Sequence, residues 1–115
     1  KVFELKRIRY WDSDPMTLEK ILICGEYIKN KTLADFEQSL FKILNENIEI
    51  GYAHQEIEAI MVTDEISKYL NIKGQQPIFK VKTITYTPDA IPIFFDTSFY
   101  RADKYSFKST LTRLR

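Results

Sequence analysis

Arg7 and Arg9 stand two apart in Val2-Phe3-Glu4-Leu5-Lys6-Arg7-Ile8-Arg9-Tyr10-Trp11, a run that reads as a half-buried strand. With a side-chain period of two, Phe3, Leu5, Arg7, Arg9 and Trp11 share one face; Val2, Glu4, Lys6, Ile8 and Tyr10 take the other. Two guanidiniums thus project among three large apolar side chains. A charge in that setting is costly without a partner, and the planar fork of Arg suits both oxygens of a carboxylate or phosphate. Three outcomes stay open: an anionic ligand, an internal ion pair with Asp or Glu, or an edge strand with both arginines in water.

Other polar groups extend the search. In the strand starting at Ile91, one face carries Pro92, Phe94, Asp96, Ser98 and Tyr100, an apolar floor with hydrogen-bonding groups of the kind that orients small polar ligands. A plain solvent-facing side is the alternative. Glu19 can hold ligand hydroxyls or pair with Lys6 or Arg9. Ser39, between Phe36 and Leu40 of a helical stripe, ordinarily bonds back to its helix or faces water. Glu56 and Glu58 alternate with Ile57 and read as solvated. Cys24 is the only cysteine and His54 the only histidine. One cysteine forms no disulfide within the chain, and its apolar run reads as a buried structural thiol. Nothing resembles a metal cluster, a phosphate loop or a nucleophile elbow, so neither catalysis nor a cofactor has positive support.

The elements that position these groups follow from punctuation and periodicity. Asp12-Ser13-Asp14-Pro15 predicts a hairpin turn into a strand over Leu18 to Cys24, and Gly25 to Lys31 a polar loop. Thr32 is a helix cap, with Asp35 and Glu37 near the positive end; Leu33, Phe36, Leu40, Phe41 and Leu44 predict one amphipathic helix over about 33–46. A strand runs from Gly51 to about Val62. Thr63-Asp64-Glu65 opens a short helix ending near Asn71, and strands follow over Ile78 to Tyr86 and Ile91 to about Tyr100. A last short strand covers Tyr105 to Leu111. The expected fold is α+β, about six antiparallel strands with two helices packed on them.

The chain's 115 residues suffice for one domain with a core. Lys and Arg number 17 against 16 Asp and Glu, scattered rather than striped, which argues against a nucleic-acid surface. The basic tail Lys104, Lys108, Arg113 and Arg115 reads as a solvated terminus. No apolar run is long enough to span a bilayer and no signal pattern opens the chain, so the expected compartment is cytoplasmic. Lys1 leads straight into strand-forming residues, with no Met and no cap, and the chain reads as a domain of a longer protein.

The order of features resembles the UTRA domain, the effector-sensing half of HutC-type GntR-family regulators. The resemblance rests on Val2-Phe3 leading to Arg7-Ile8-Arg9, Asp12 to Pro15 before Glu19, and Gln38-Ser39-Leu40-Phe41-Lys42-Ile43-Leu44. It continues through Glu56-Ile57-Glu58-Ala59, Ser67-Lys68-Tyr69-Leu70-Asn71-Ile72 and Tyr100-Arg101-Ala102-Asp103-Lys104-Tyr105-Ser106-Phe107. It implies a chorismate lyase-like fold behind an N-terminal winged helix that binds operator DNA and lies outside residues 1–115. It also implies a homodimer and a small anionic effector, with sugar phosphates bound in some relatives. Carried over residue by residue, the arginines that grip phosphate are Arg7 and Arg9, assisted by Ser39. The groups holding sugar hydroxyls are Glu19, Asp96 and Tyr100.

The chain departs from that pattern in Arg101-Ala102-Asp103-Lys104-Tyr105, where many relatives have Arg-Gly-Asp-Arg-Tyr, which puts a tight glycine turn in question. Phe94-Phe95 is also bulky for a large sugar site. Features over Phe94 to Phe107 are similar to the trehalose-operon repressors. The expectation is a sensing domain without catalysis. The alternatives are a small lyase gripping a carboxylate substrate such as chorismate, or a purely dimerising module.

Overall fold

The computed structural model describes residues 1–44 and 48–113. Five strands form one antiparallel sheet in the order β1-β2-β5-β4-β3, with β1 Val2–Trp11, β2 Asp14–Cys24, β3 Tyr52–Met61, β4 Pro77–Tyr86 and β5 Pro92–Arg101. Two helices pack on it, α1 (Leu40–Leu44) and α2 (Asp64–Leu70). The architecture is the expected α+β, with five strands instead of six.

Tyr105 to Leu111 forms no strand. β5 already lies between β2 and β4, so the chain leaving it through a tight turn meets no vacant edge. Its aromatic residues settle on rings instead: Tyr105 lies 4.7 Å from Tyr100 and Phe107 5.4 Å from Phe79, centroid to centroid. The turn itself needs no glycine. Ala102 is absent from the positive-φ residues, and Arg101 closes the turn on Asp103 through Nε and Nη2 at 3.1 and 2.7 Å.

Helix α2 starts as the sequence predicts. Thr63 Oγ1 accepts from the Ile66 N–H at 3.3 Å, and Asn71 ends the helix with a left-handed φ of 55°. Its Ile66 and Leu70 pack with Leu18, Ile78 and Phe99 on one face of the sheet. On the other face, Leu40 and Leu44 of α1 cover Ile21, Ile23 and Phe94. Burial of these two apolar groups, at about 25 cal/mol per Å2, is the main favourable term.

The predicted single helix over 33–46 is two pieces. A 3-10 turn, Leu33–Glu37, ends at Gln38, whose ψ of 175° is extended, and α1 starts afresh at Leu40. Thr32 does open the first piece, its N–H donating to the Asp35 carboxylate at 2.7 Å. Leu33, expected in the core stripe, is exposed. Residues 45 and 46 of the predicted helix, the Phe41 side chain and Arg115 of the basic tail lie outside the described residues. The loop expected over Gly25 to Lys31 contains a further 3-10 turn, Gly25–Ile28. Among the described residues, no helix is long and apolar enough to cross a membrane.

Candidate functional site

The β1–β2 hairpin places Arg7 directly opposite Glu19 and Arg9 opposite Thr17. Across the next pairing Glu19 faces Ser98, Ile21 faces Asp96 and Thr17 faces Tyr100. Residues opposite one another in an antiparallel pair share a face. Arg7, Arg9, Glu19, Asp96, Ser98 and Tyr100 therefore lie on the one sheet face that also receives α1.

Arg7 is committed. Its Nε donates to Glu19 Oε1 at 2.7 Å, and Nη1 to the carbonyls of Phe36 and Gln38, each at 3.0 Å. The two side chains are only 11% and 12% exposed, so this is a sheltered, charge-assisted pair. Sequence reading offered Glu19 to Lys6 or Arg9. The register corrects that, because Lys6 sits opposite Lys20, on the other face, and Glu19 falls opposite Arg7.

Arg9 is different. It is exposed and makes no hydrogen bond or ion pair with the described residues. Arg7 and Arg9 line a common groove of about 490 Å3 together with Leu5, Tyr10, Phe36 and Glu37. Glu19, Asp96 and Tyr100 lie further across the face and do not line it.

Asp96 is mostly buried, and burial pushes its carboxyl up to about 6 despite the Ser98 hydroxyl, which donates to it at 2.8 Å; Glu19 raises it further and Arg7 opposes that rise. Burial likewise pushes Tyr100 up to about 12, with Tyr105, Glu19 and Asp96 adding to the rise and Arg9 opposing it. The mutual influence places five of the six residues singled out from sequence in one electrostatic neighbourhood. Ser39, the sixth, is exposed and sits before α1 rather than within a helix; its carbonyl accepts from the Ile43 N–H at 3.2 Å. It adjoins Gln38, whose carbonyl holds Arg7.

Four groups around these residues were not singled out from sequence. Ser98 was on the right face, and its spacing of two from Asp96 was the available signal. The carbonyls of Phe36 and Gln38 carry no side-chain signature at all. The cover of Tyr100 by Tyr105 was hidden by the expected sixth strand.

The remaining singled-out groups are elsewhere. Cys24 is half-buried at the end of β2 and His54 packs edge-on against Tyr52 and Tyr86. Strands β5 and β4 lie between their strands, a separation of roughly 14 Å at ordinary strand spacing, too far for a nucleophile and its base. Glu56 and Glu58 face Lys82 and Lys80 at 3.9 Å on the exposed β3–β4 ladder.

Residues 1–106 match the sequence model of the UTRA domain. Among curated proteins, the chain is similar to the mannosyl-D-glycerate transport/metabolism system repressor MngR of Escherichia coli (strain K12), with 28% identity over 109 residues, covering 93% of this chain and 45% of that repressor. It is also similar to the HTH-type transcriptional repressor NagR of Bacillus subtilis (strain 168), at 27% identity over 115 residues, covering 98% and 47%. The chain spans about half the length of these relatives. Among solved structures, the effector binding domain of the B. subtilis trehalose repressor (TreR) has a TM-score of 0.87 at 24% identity, covering 99% of this chain and 81% of that one. A GntR-family transcriptional regulator from Enterococcus faecalis V583 also gives 0.87, at 23% identity, covering 96% and 81%. At these identities the structural likeness concerns the fold. With its match running over nearly the whole sequence, the chain belongs to the UTRA domain family.

Proposed function

We propose that residues 1–115 are the ligand-sensing and dimerisation domain of a cytoplasmic bacterial transcription regulator, with no catalysis and no cofactor. DNA is reached only through a winged-helix domain N-terminal to it, and no membrane takes part. The effector is a small anionic metabolite, a phosphorylated sugar, with its phosphate on Arg9 and Arg7 assisted by Ser39, and its hydroxyls on Glu19, Asp96 and Tyr100. Binding one conformation better than another shifts the attached DNA-binding domains between operator-competent and incompetent states. The family match and the repressor relatives support the regulator reading.

The observation that carries the anion is Arg9, an exposed guanidinium without a hydrogen-bond or ion-pair partner among the described residues, on the same groove as Arg7. Calorimetric titration with glucose 6-phosphate tests it. Arg9→Ala should weaken binding about tenfold or more, the value of a charge-assisted hydrogen bond, with an unchanged melting temperature. Arg7→Ala should lose binding and also cost about 3 kcal/mol of stability, because it strands Glu19 in a sheltered site. Undiminished binding by Arg9→Ala sinks the assignment. Turnover of chorismate by the isolated chain would replace it with the lyase reading.

A further inference from the structure

A second groove, about 430 Å3 in volume, adjoins the arginine groove and has a different character. Phe3, Leu5, Ile23, Ile28 and Phe36 wall it, and charge is confined to Glu4, Lys29 and Lys31. Leu5, Leu33 and Phe36 line both grooves. Leu33 is 82% exposed, an apolar side chain left in water on the short turn that stands between them. The groove is shaped by a close approach: a Cβ at Gly25 would lie 2.6 Å from Cε2 of Phe3, so only glycine lets that ring lie against the backbone there. Each volume is of the size that holds a small molecule.

Phe3, Leu5, Ile23, Ile28 and Phe36 offer a sugar's hydroxyls no partner, leaving only Glu4, Lys29, Lys31 and Thr32 of the lining to bond them, so these walls suit hydrocarbon better than a sugar ring. We propose that the anion site continues into this groove, so that its ligand is an amphipathic organic phosphate in which an apolar portion accompanies the sugar. The phosphate sits on Arg9 and Arg7, and an aliphatic or aromatic portion lies along Leu5, Phe36 and Phe3. This rests on the anion site proposed above and adds an apolar portion to whatever the phosphate carries. Charge complementarity fixes the orientation: the two arginines stand at one end and the apolar walls at the other, with three shared residues between.

The test is a calorimetric series of inorganic phosphate, glucose 6-phosphate, and butyl, hexyl and octyl phosphate below their micellar concentrations. A fully buried methylene is worth about a fourfold gain in affinity, and an open groove about half that logarithm, so a gain of about twofold per methylene is expected. Phe3→Ser, at an exposed position outside the arginine groove, should flatten the chain-length dependence and leave inorganic phosphate unchanged. Arg9→Ala should weaken every member of the series. Phosphate and glucose 6-phosphate binding with no gain along the alkyl series overturns the extension alone. An alkyl gain that survives Phe3→Ser places the chains elsewhere and overturns it as well. No binding by any phosphate removes both the extension and the anion site.

Discussion

Asp96 sits on a strand whose neighbours are mostly apolar, and its carboxyl is raised to about 6 by burial. The folded state therefore holds that proton more tightly than the unfolded chain, whose Asp titrates near 3.8. Between about 4 and 6 the native form binds the extra proton, so stability falls as pH rises through that window. Above pH 6 the buried carboxylate opposes folding. Asp96→Asn keeps a partner for Ser98 and removes the charge. Urea melts at pH 5 and 7.5 should show it more stable than wild type at pH 7.5, with the difference shrinking towards pH 5. A difference that is equal at both pH values rules out a raised Asp96. The neighbouring pair shows what a sequence reveals at this scale. Alternation alone put Arg7 and Arg9 on one face, but which of them meets Glu19 depends on a two-residue turn at Asp12 and Ser13 and on the register irregularity between Arg9 and Tyr10. Those are backbone facts, and the same shift that occupies Arg7 leaves Arg9 available.

At the scale of elements, caps were legible and helix continuity was not. Leu33, Phe36, Leu40 and Leu44 have helical spacing, yet a helix through Gln38 would need the carbonyls of Phe36 and Gln38 for its own N–H groups. Arg7 takes both, and the chain opens into an extended residue at that point. A long-range donor thus overrides a local period, which no window along the sequence can register. The missing sixth strand has a comparable cause, since strand propensity in Tyr105 to Leu111 cannot create an edge beside a central β5. Thr63 makes the opposite case. Its type and its place before Asp64 and Glu65 foretold the cap, and the Ile66 N–H is the group it satisfies. Thr63→Ala should cost about 1 kcal/mol, read as a lower urea midpoint with an unchanged denaturant slope. Thr63→Ser should restore most of it, whereas equal loss in both variants would assign the effect to packing of the threonine methyl.

The described residues form one sheet with two cores back to back, and one of them carries the segment that holds Arg7. Leu44, fully buried, belongs to the core beneath the Phe36–Leu40 segment whose carbonyls hold Arg7. Leu70, equally buried, belongs to the α2 core on the opposite face. Leu→Ala at either position should cost about 3 kcal/mol, since both leave a cavity in packed surroundings. Their effects on ligand should part company. Loosening Leu44 lets the Phe36–Leu40 segment move and Arg7 lose its backbone acceptors, so glucose 6-phosphate should bind several-fold more weakly. Loosening Leu70 disturbs Ile66, Ile78 and Phe99, which turn away from the groove, and affinity should stay within about twofold of wild type. Titrations at a temperature where both variants remain folded separate the two effects, because destabilisation is matched and only the face differs. Equal losses of affinity would mean that the sheet transmits strain between its faces, as a rigid close-packed layer can. In that case α2 would belong to the sensing apparatus instead of standing behind it.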